Sequence, residues 1–293
     1  MSLRLAEMPG DHPGQEALAQ LLSFGLPPAP DRDRLTYGSY LKVTDLTALQ
    51  VLQSDPPQHD ELLFIVIHQV FELWFKQLLH EVDEVKARMA ADQPLGAQRL
   101  LRRCIEIQRV LIQQITVLET MTPNDFLTFR DRLMPASGFQ SAQFRAIEFV
   151  SGGKDERHLR MHAADSHERR MLEQRLAEPT MLDTFFDLLR GRGFQLEQGD
   201  TPEAREQRAR EMARIYQHPD EHYDLYMLCE ALVEYDEFWS LWRLHHVTMV
   251  ERMIGSKPGT GGSEGVAYLR KTTDRKFFPE LWELRTYLSS KSY

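Results

Sequence analysis

Apolar residues in this chain recur every three or four positions over stretches too long for strands, and that period calls for helices packed on helices. The longest stretch runs from about Asp220 to Ile254. On a turn of about 3.6 residues its Tyr235, Trp239, Trp242, His246, Val250 and Met253 share one face, while His245 turns to the next stripe with Leu241 and Thr248. A second long pattern spans Asp60 to Met89, very apolar early and charged late, so its first turns need cover on most sides. Further helical patterns cover Ala97 to Met121, Phe139 to Val150, Glu156 to Arg175, Met181 to Arg190 and Glu203 to Tyr216. Thr122 and Pro123 form an N-cap and first-turn pair for a short helix to Leu133. Period-two alternation is nearly absent; the segment YGSYLKV, Tyr37 to Val43, reads as a short extended piece. The expectation is an all-α fold, with one large helical domain over residues 35–293. Residues 1–34, rich in Pro, Gly and Asp, are expected to form a mobile arm with a short helix from Gln15 to Leu22.

A chain of 293 residues can bury a large core. Its formal charge of -9 and scattered basic residues exclude a nucleic-acid surface; Arg169 and Arg170 sit among glutamates, as on a solvated helix face. Cys104 and Cys229 lie inside apolar patterns and read as buried thiols. The first residues lack the apolar run of an export signal. The most apolar run, Leu62 to Phe75, is interrupted by His68, Gln69 and Glu72 and is too short to span a bilayer. A cytoplasmic protein without a membrane partner is expected.

Three constellations could carry chemistry. His246 faces an aromatic wall, the setting of an axial haem ligand or of a core histidine bonded to a carboxylate. His68 points from the second helix with Phe64, Phe71 or Glu72, and Phe75 on its face, and reads either as a hydrogen-bonding group over a reaction site or as a core residue bonded to Glu72 or to a backbone carbonyl. Arg130, beside Phe126 and Phe129, offers a fork for a small carboxylate, or an ion pair for Asp131. The loop GSKPGTGGSEG completes neither phosphate-binding pattern, since Lys257 precedes the glycines and Glu264 stands where GxGxxG needs glycine. Its Gly259, Thr260, Gly261 and Gly262 suit a substrate-gated loop or a simple helix end. His218 and His222 read as capping residues, without the companions of a metal site.

The motifs LTYGSYL, FIVIHQVFELWFKQ, FRDRLMPASGFQS with QFRAIEF, and WRLHHVTMVERMIG with KPGTGGSEG resemble those of the tryptophan 2,3-dioxygenase family, over nearly all of Leu35 to Leu288. The resemblance implies a helical homotetramer holding haem b (iron protoporphyrin IX) and cleaving the indole C2–C3 bond of L-tryptophan with O2 to N-formyl-L-kynurenine. It makes His246 the proximal iron ligand and His68 the distal residue meeting the indole nitrogen. Phe64 would pack on the indole, and Arg130 would bind the carboxylate. Thr260 would meet the substrate ammonium together with a haem propionate. Leu133 and Ser137 would line the haem side. Tyr37 and Tyr40 would belong to an N-terminal segment that reaches a neighbouring subunit's active site. Phe126 lies in the substrate pocket where some members carry Tyr, so no phenolic bond to the carboxylate is available here. A haem dioxygenase of broader indoleamine preference, a haem-binding sensor and a cofactor-free scaffold are the alternatives.

Overall fold

The structure is a computed structural model and describes residues 35–259 and 265–288. Compact units meet between Gln50 and Val51. In the first, α1 (Tyr37–Leu41) and α2 (Val43–Leu46) replace the expected extended piece. The cause is local. Thr36 and Ser39 form a reciprocal capping box at the start of α1, and Lys42 takes the left-handed conformation (φ 53°) that ends it. No residue of either helix is buried; Tyr37 and Tyr40 are 78% and 70% exposed.

The second unit is helical throughout, and no strand occurs among the described residues. Its elements are α3 (His59–Ala90), α4 (Pro94–Leu118), α5 (Pro123–Phe129), α6 (Ala142–Ser151), α7 (His167–Ala177), α8 (Met181–Gly191), α9 (Pro202–Gln217), α10 (Tyr223–Ile254), α11 (Val266–Arg270) and α12 (Pro279–Glu283). Short 3₁₀ turns at Arg130–Leu133, Gly138–Gln140, Glu156–Met161 and Leu284–Tyr287 join several of them. The pattern from Glu156 to Arg175 is therefore two elements: Ser166 caps a fresh helix through the amide of Arg169. Thr122 and Pro123 open α5 as their residue types demand, with Asp125 completing a capping box.

Helix α4 is the spine. It packs along both α3 and α10, the helices that carry His68 and His246. Its buried face runs through Leu100, Leu101, Cys104, Ile105, Ile107, Leu111, Ile115 and Leu118. Tyr235 and Trp239 of α10 are almost wholly inaccessible there. Removing an apolar side chain of this size from water contributes roughly 1.5–3 kcal/mol. Helix α3 is long and apolar enough, by length and composition alone, to cross a membrane. Within this fold it buries Ile67, Phe71, Phe75, Leu78, Val82 and Val85, while Leu62, Val66 and Leu73 of its apolar first half stay exposed.

Two buried carboxylates tie neighbouring chain onto these helices, one at the start of α3 and one midway along α10. Glu61 accepts the amides of Gln53 (2.7 Å) and Ser54 (3.0 Å) and the Ser54 hydroxyl, tying the incoming chain to the start of α3. Burial alone would raise its pKa, but these bonds bring it below the ordinary value. Asp236 of α10 accepts the amides of Phe277 and Phe278 and the indole N–H of Trp282, which docks the C-terminal segment on α10. Burial pushes its pKa up against those three donors.

Candidate active site

One cavity, about 280 Å³ when counted as space for the centre of a water-sized sphere, opens among α3, α5, α6, α10 and the chain around Gly259 and Gly265. Phe64, His68, Phe126, Arg130, Ser137 and His246 all line it, so residues from three separate motifs converge. Leu133 does not. It packs, half-buried, against the core behind. Thr260 lies outside the described residues, as do the expected N-terminal arm and its short helix.

On α3, the imidazole Nδ1 of His68 lies 2.7 Å from the carbonyl oxygen of Phe64, one turn back. A carbonyl can only accept, so Nδ1 carries the proton and Nε2 keeps its lone pair. The backbone-bonded reading of His68 is thus realised, and it leaves a hydrogen-bond acceptor on a cavity-lining ring. The ring also packs on Phe64, 4.1 Å between centroids, which fixes its tilt. The residue is exposed by accessible surface, yet the cavity that its ring lines lies within surrounding protein. That burial lowers its pKa, while the Phe64 carbonyl and the Glu72 carboxylate act the other way. Near neutral pH the ring is uncharged.

His246 on α10 has no hydrogen-bond partner among the described residues, so the alternative of a carboxylate-satisfied core histidine does not hold. It lies flat against Trp242, with rings 5.1 Å apart and 4° from parallel. Trp242 is itself held by Phe71, Phe75, Phe144 and Trp239. Burial, with His68 and Arg145 adding in the same sense, pushes the His246 pKa down to about 4. A neutral imidazole with a ring nitrogen left open toward an aromatic-lined cavity is suited to ligate the iron of a porphyrin. By contrast, no group of three or more His, Cys, Asp or Glu that could hold a bare metal ion occurs among the described residues. These residues fit a haem. His245, next along, is exposed.

Phe64, Phe126 and Phe129 form an aromatic corner: Phe64 stacks on Phe126 at 5.7 Å and 26°, and Phe129 stands edge-on to both. Arg130 leaves that corner in the 3₁₀ turn, its side chain 14% exposed. Its Nη2 donates to the Pro258 carbonyl at 2.7 Å, whereas Asp131 stands 3.9 Å away and is 87% exposed. Asp131 therefore does not occupy the fork, and donors remain for a ligand carboxylate. The base of the glycine-rich loop is tight: a Cβ on Gly265 (φ +62°) would come within 2.8 Å of the Lys257 carbonyl.

Sequence reasoning missed the far wall. Arg145 and Glu148 of α6 and Arg243 of α10 also line the cavity, with Arg145 Nη1 donating to Glu148 at 2.5 Å and Arg243 Nη2 at 3.6 Å from the same carboxylate. The i,i+3 spacing of Arg145 and Glu148 reads in sequence as an ordinary surface pair. Only their place in an apolar stretch, QFRAIEF, hinted at burial. His218 ends α9, and His222 begins α10 without a side-chain cap bond, its ring against Phe194.

The family model for tryptophan 2,3-dioxygenase matches residues 29–190 and 203–288. A tryptophan 2,3-dioxygenase from Nocardioides sp. is 50% identical over 261 residues, covering 87% of this chain and 95% of that protein. One from Herpetosiphon aurantiacus is 46% identical over 270 residues (87% and 98%), and one from Myxococcus xanthus 43% over 265 residues (87% and 90%). With motifs, helical fold and convergent cavity residues agreeing with matches that cover nearly all of both partners, the chain belongs to the tryptophan 2,3-dioxygenase family.

Proposed function

We propose that this protein inserts both atoms of O2 across the indole C2–C3 bond of L-tryptophan, giving N-formyl-L-kynurenine, with haem b held by His246. The observation that carries the reading is the meeting of two neutral imidazoles and one arginine fork in a single aromatic cavity. When bound, the haem supplies the oxygen chemistry. The chain supplies position. His246 offers its free ring nitrogen to the iron, and Trp242 keeps that ring from turning. Phe64 and Phe126 give the indole an apolar slot. His68 Nε2 accepts the indole N–H and holds the ring at one depth and angle, which makes it an orienting group instead of an obligatory base. Arg130 takes the carboxylate in a two-pronged bond, and Thr260 meets the ammonium. Ser137, which lines the cavity, would face the haem.

We also propose a homotetramer in which the segment bearing Tyr37 and Tyr40 reaches a neighbouring active site; the exposure of both tyrosines in the single chain supports this. A cytoplasmic setting suits the two free, buried thiols, Cys104 and Cys229. The decisive experiment is purification followed by two readings. A Soret band distinguishes a haem protein from a scaffold, and growth of the formylkynurenine absorption from L-tryptophan and O2 distinguishes an enzyme from a sensor. Haem without turnover would overturn the enzymatic reading.

A further inference from the structure

Three carbonyl groups of α3 near His68 receive a side-chain donor in addition to the amide that the helix provides. One is Phe64, bonded by His68 itself. The other two lie on either side of the histidine. Gln114, from the spine helix α4, donates its side-chain amide to the Ile67 carbonyl at 2.7 Å. Gln143, from α6, donates to the Glu72 carbonyl at 2.9 Å and to the Glu72 carboxylate at 2.8 Å. Because a carbonyl only accepts, the orientation of both amides is fixed by these partners.

Gln114 is buried within an otherwise apolar stripe, between Leu111, Ile115 and Leu118. Leucine or methionine there would give more hydrophobic burial, with no amide to desolvate. What an amide adds is direction. Apolar packing lets a helix slide or roll by fractions of an ångström at small cost, whereas a buried hydrogen bond weakens steeply as its angle closes. Two such bonds from different helices, meeting α3 at positions 67 and 72, restrain both sliding and rolling of the turn that carries His68.

We propose that Gln114 and Gln143 are positioning residues, amide clamps that hold His68 at the depth where its Nε2 meets the indole N–H. The inference rests on the acceptor role given to His68 under the proposed function. Displacement of a reacting group by about 1 Å can cost on the order of 100-fold in rate, so a register fixed to a fraction of that distance matters to a site of this kind.

The test uses haem-loaded protein and two ligands of nearly the same shape: L-tryptophan, and the analogue in which benzothiophene replaces indole and no N–H is present. Gln114→Met and Gln143→Met keep roughly the side-chain volume and remove the donor. Each variant should lose about fivefold in affinity for tryptophan, the order of one well-aligned hydrogen bond, while affinity for the benzothiophene analogue stays within about twofold. In a His68→Ala background the same substitutions should leave the ratio of the two affinities unchanged, since no acceptor remains to be positioned. Gln143 is only half-buried, so its variant tests the idea even if loss of Gln114 disturbs folding. Equal losses on both ligands, or an unchanged ratio beside a lowered melting temperature, would show that the glutamines merely support the fold. A wild-type protein that binds both ligands equally well would instead remove the acceptor role of His68, and with it the need for clamps.

Discussion

Replacing Arg130 with lysine keeps the charge and discards the fork, and the structure sets the size of the effect. The guanidinium is 14% exposed, so a carboxylate paired with it is largely out of water. Asp131, at 3.9 Å and 87% exposed, is a surface partner of the kind that contributes about 0–1 kcal/mol. The Pro258 carbonyl takes one donor and leaves the rest of the fork available. Breaking a desolvated pair of this type costs about 2–5 kcal/mol, because the remaining charge is stranded. At 1.4 kcal/mol per decade, kcat/KM for L-tryptophan should fall by roughly 30-fold to 4,000-fold in Arg130→Ala. Lysine can still reach the Pro258 carbonyl or the carboxylate but cannot present two parallel N–H groups, so Arg130→Lys should remain strongly impaired. Tryptamine, which lacks the carboxylate, provides the internal control in the same ring-cleavage assay, measured on wild type and both variants. Its kcat/KM should change little. Equal losses on tryptophan and tryptamine would mean that Arg130 acts by holding the loop at Pro258 or the shape of the cavity, and the carboxylate argument would be wrong.

His246→Ala should abolish the normal ferrous haem spectrum; unchanged ligation in that variant, and in one also lacking His245, would reject His246 as the ligand. His68→Ala should lower turnover and weaken tryptophan binding without eliminating product; complete loss with normal haem and tryptophan binding would make His68 an obligatory base. Acid should destabilise the fold in part through His158, whose pKa is pushed down to about 4, chiefly by burial and then by Arg145. An unfolded histidine titrates near 6.5, so between about pH 6.5 and 4 the unfolded chain binds the extra proton and stability falls as pH drops. Denaturant melts across that window should show a shallower decline for His158→Gln than for wild type; parallel curves would assign the acid loss elsewhere.

The long helices were legible because their periodicity extends over many turns, and their observed limits in α3 and α10 lie close to those read from the apolar pattern. Thr122 marked a helix start through side-chain chemistry that acts within four residues. The same local logic explains the misreading at Tyr37 to Val43, where alternating apolar residues suggested a strand but the Thr36–Ser39 capping box made a helix. Within the site, His68, Arg130 and His246 stood out by residue type in unusual surroundings. Their partners did not. The Arg130–Pro258 bond joins residues 128 positions apart, and the Gln114–Ile67 bond 47 apart, distances across which no periodicity speaks. Leu133 shows the converse: on the same short segment as Arg130, it turns to the core.

The spine that carries both histidine helices also orders events in time. Helices α3 and α4 follow one another in the chain and pack together, whereas α10 begins only at Tyr223. A ribosome adding roughly 5–20 residues per second would complete the His68 side of the cavity several seconds or more before His246 exists. Until then His246, the proposed iron ligand, is absent, and the aromatic lining lacks Trp242. If His246 holds the haem as proposed, haem capture would belong to the last part of biogenesis, after most of the polypeptide has been made. Nascent chains arrested just before Tyr223 should acquire no haem, and chains released at full length should acquire it without unfolding first.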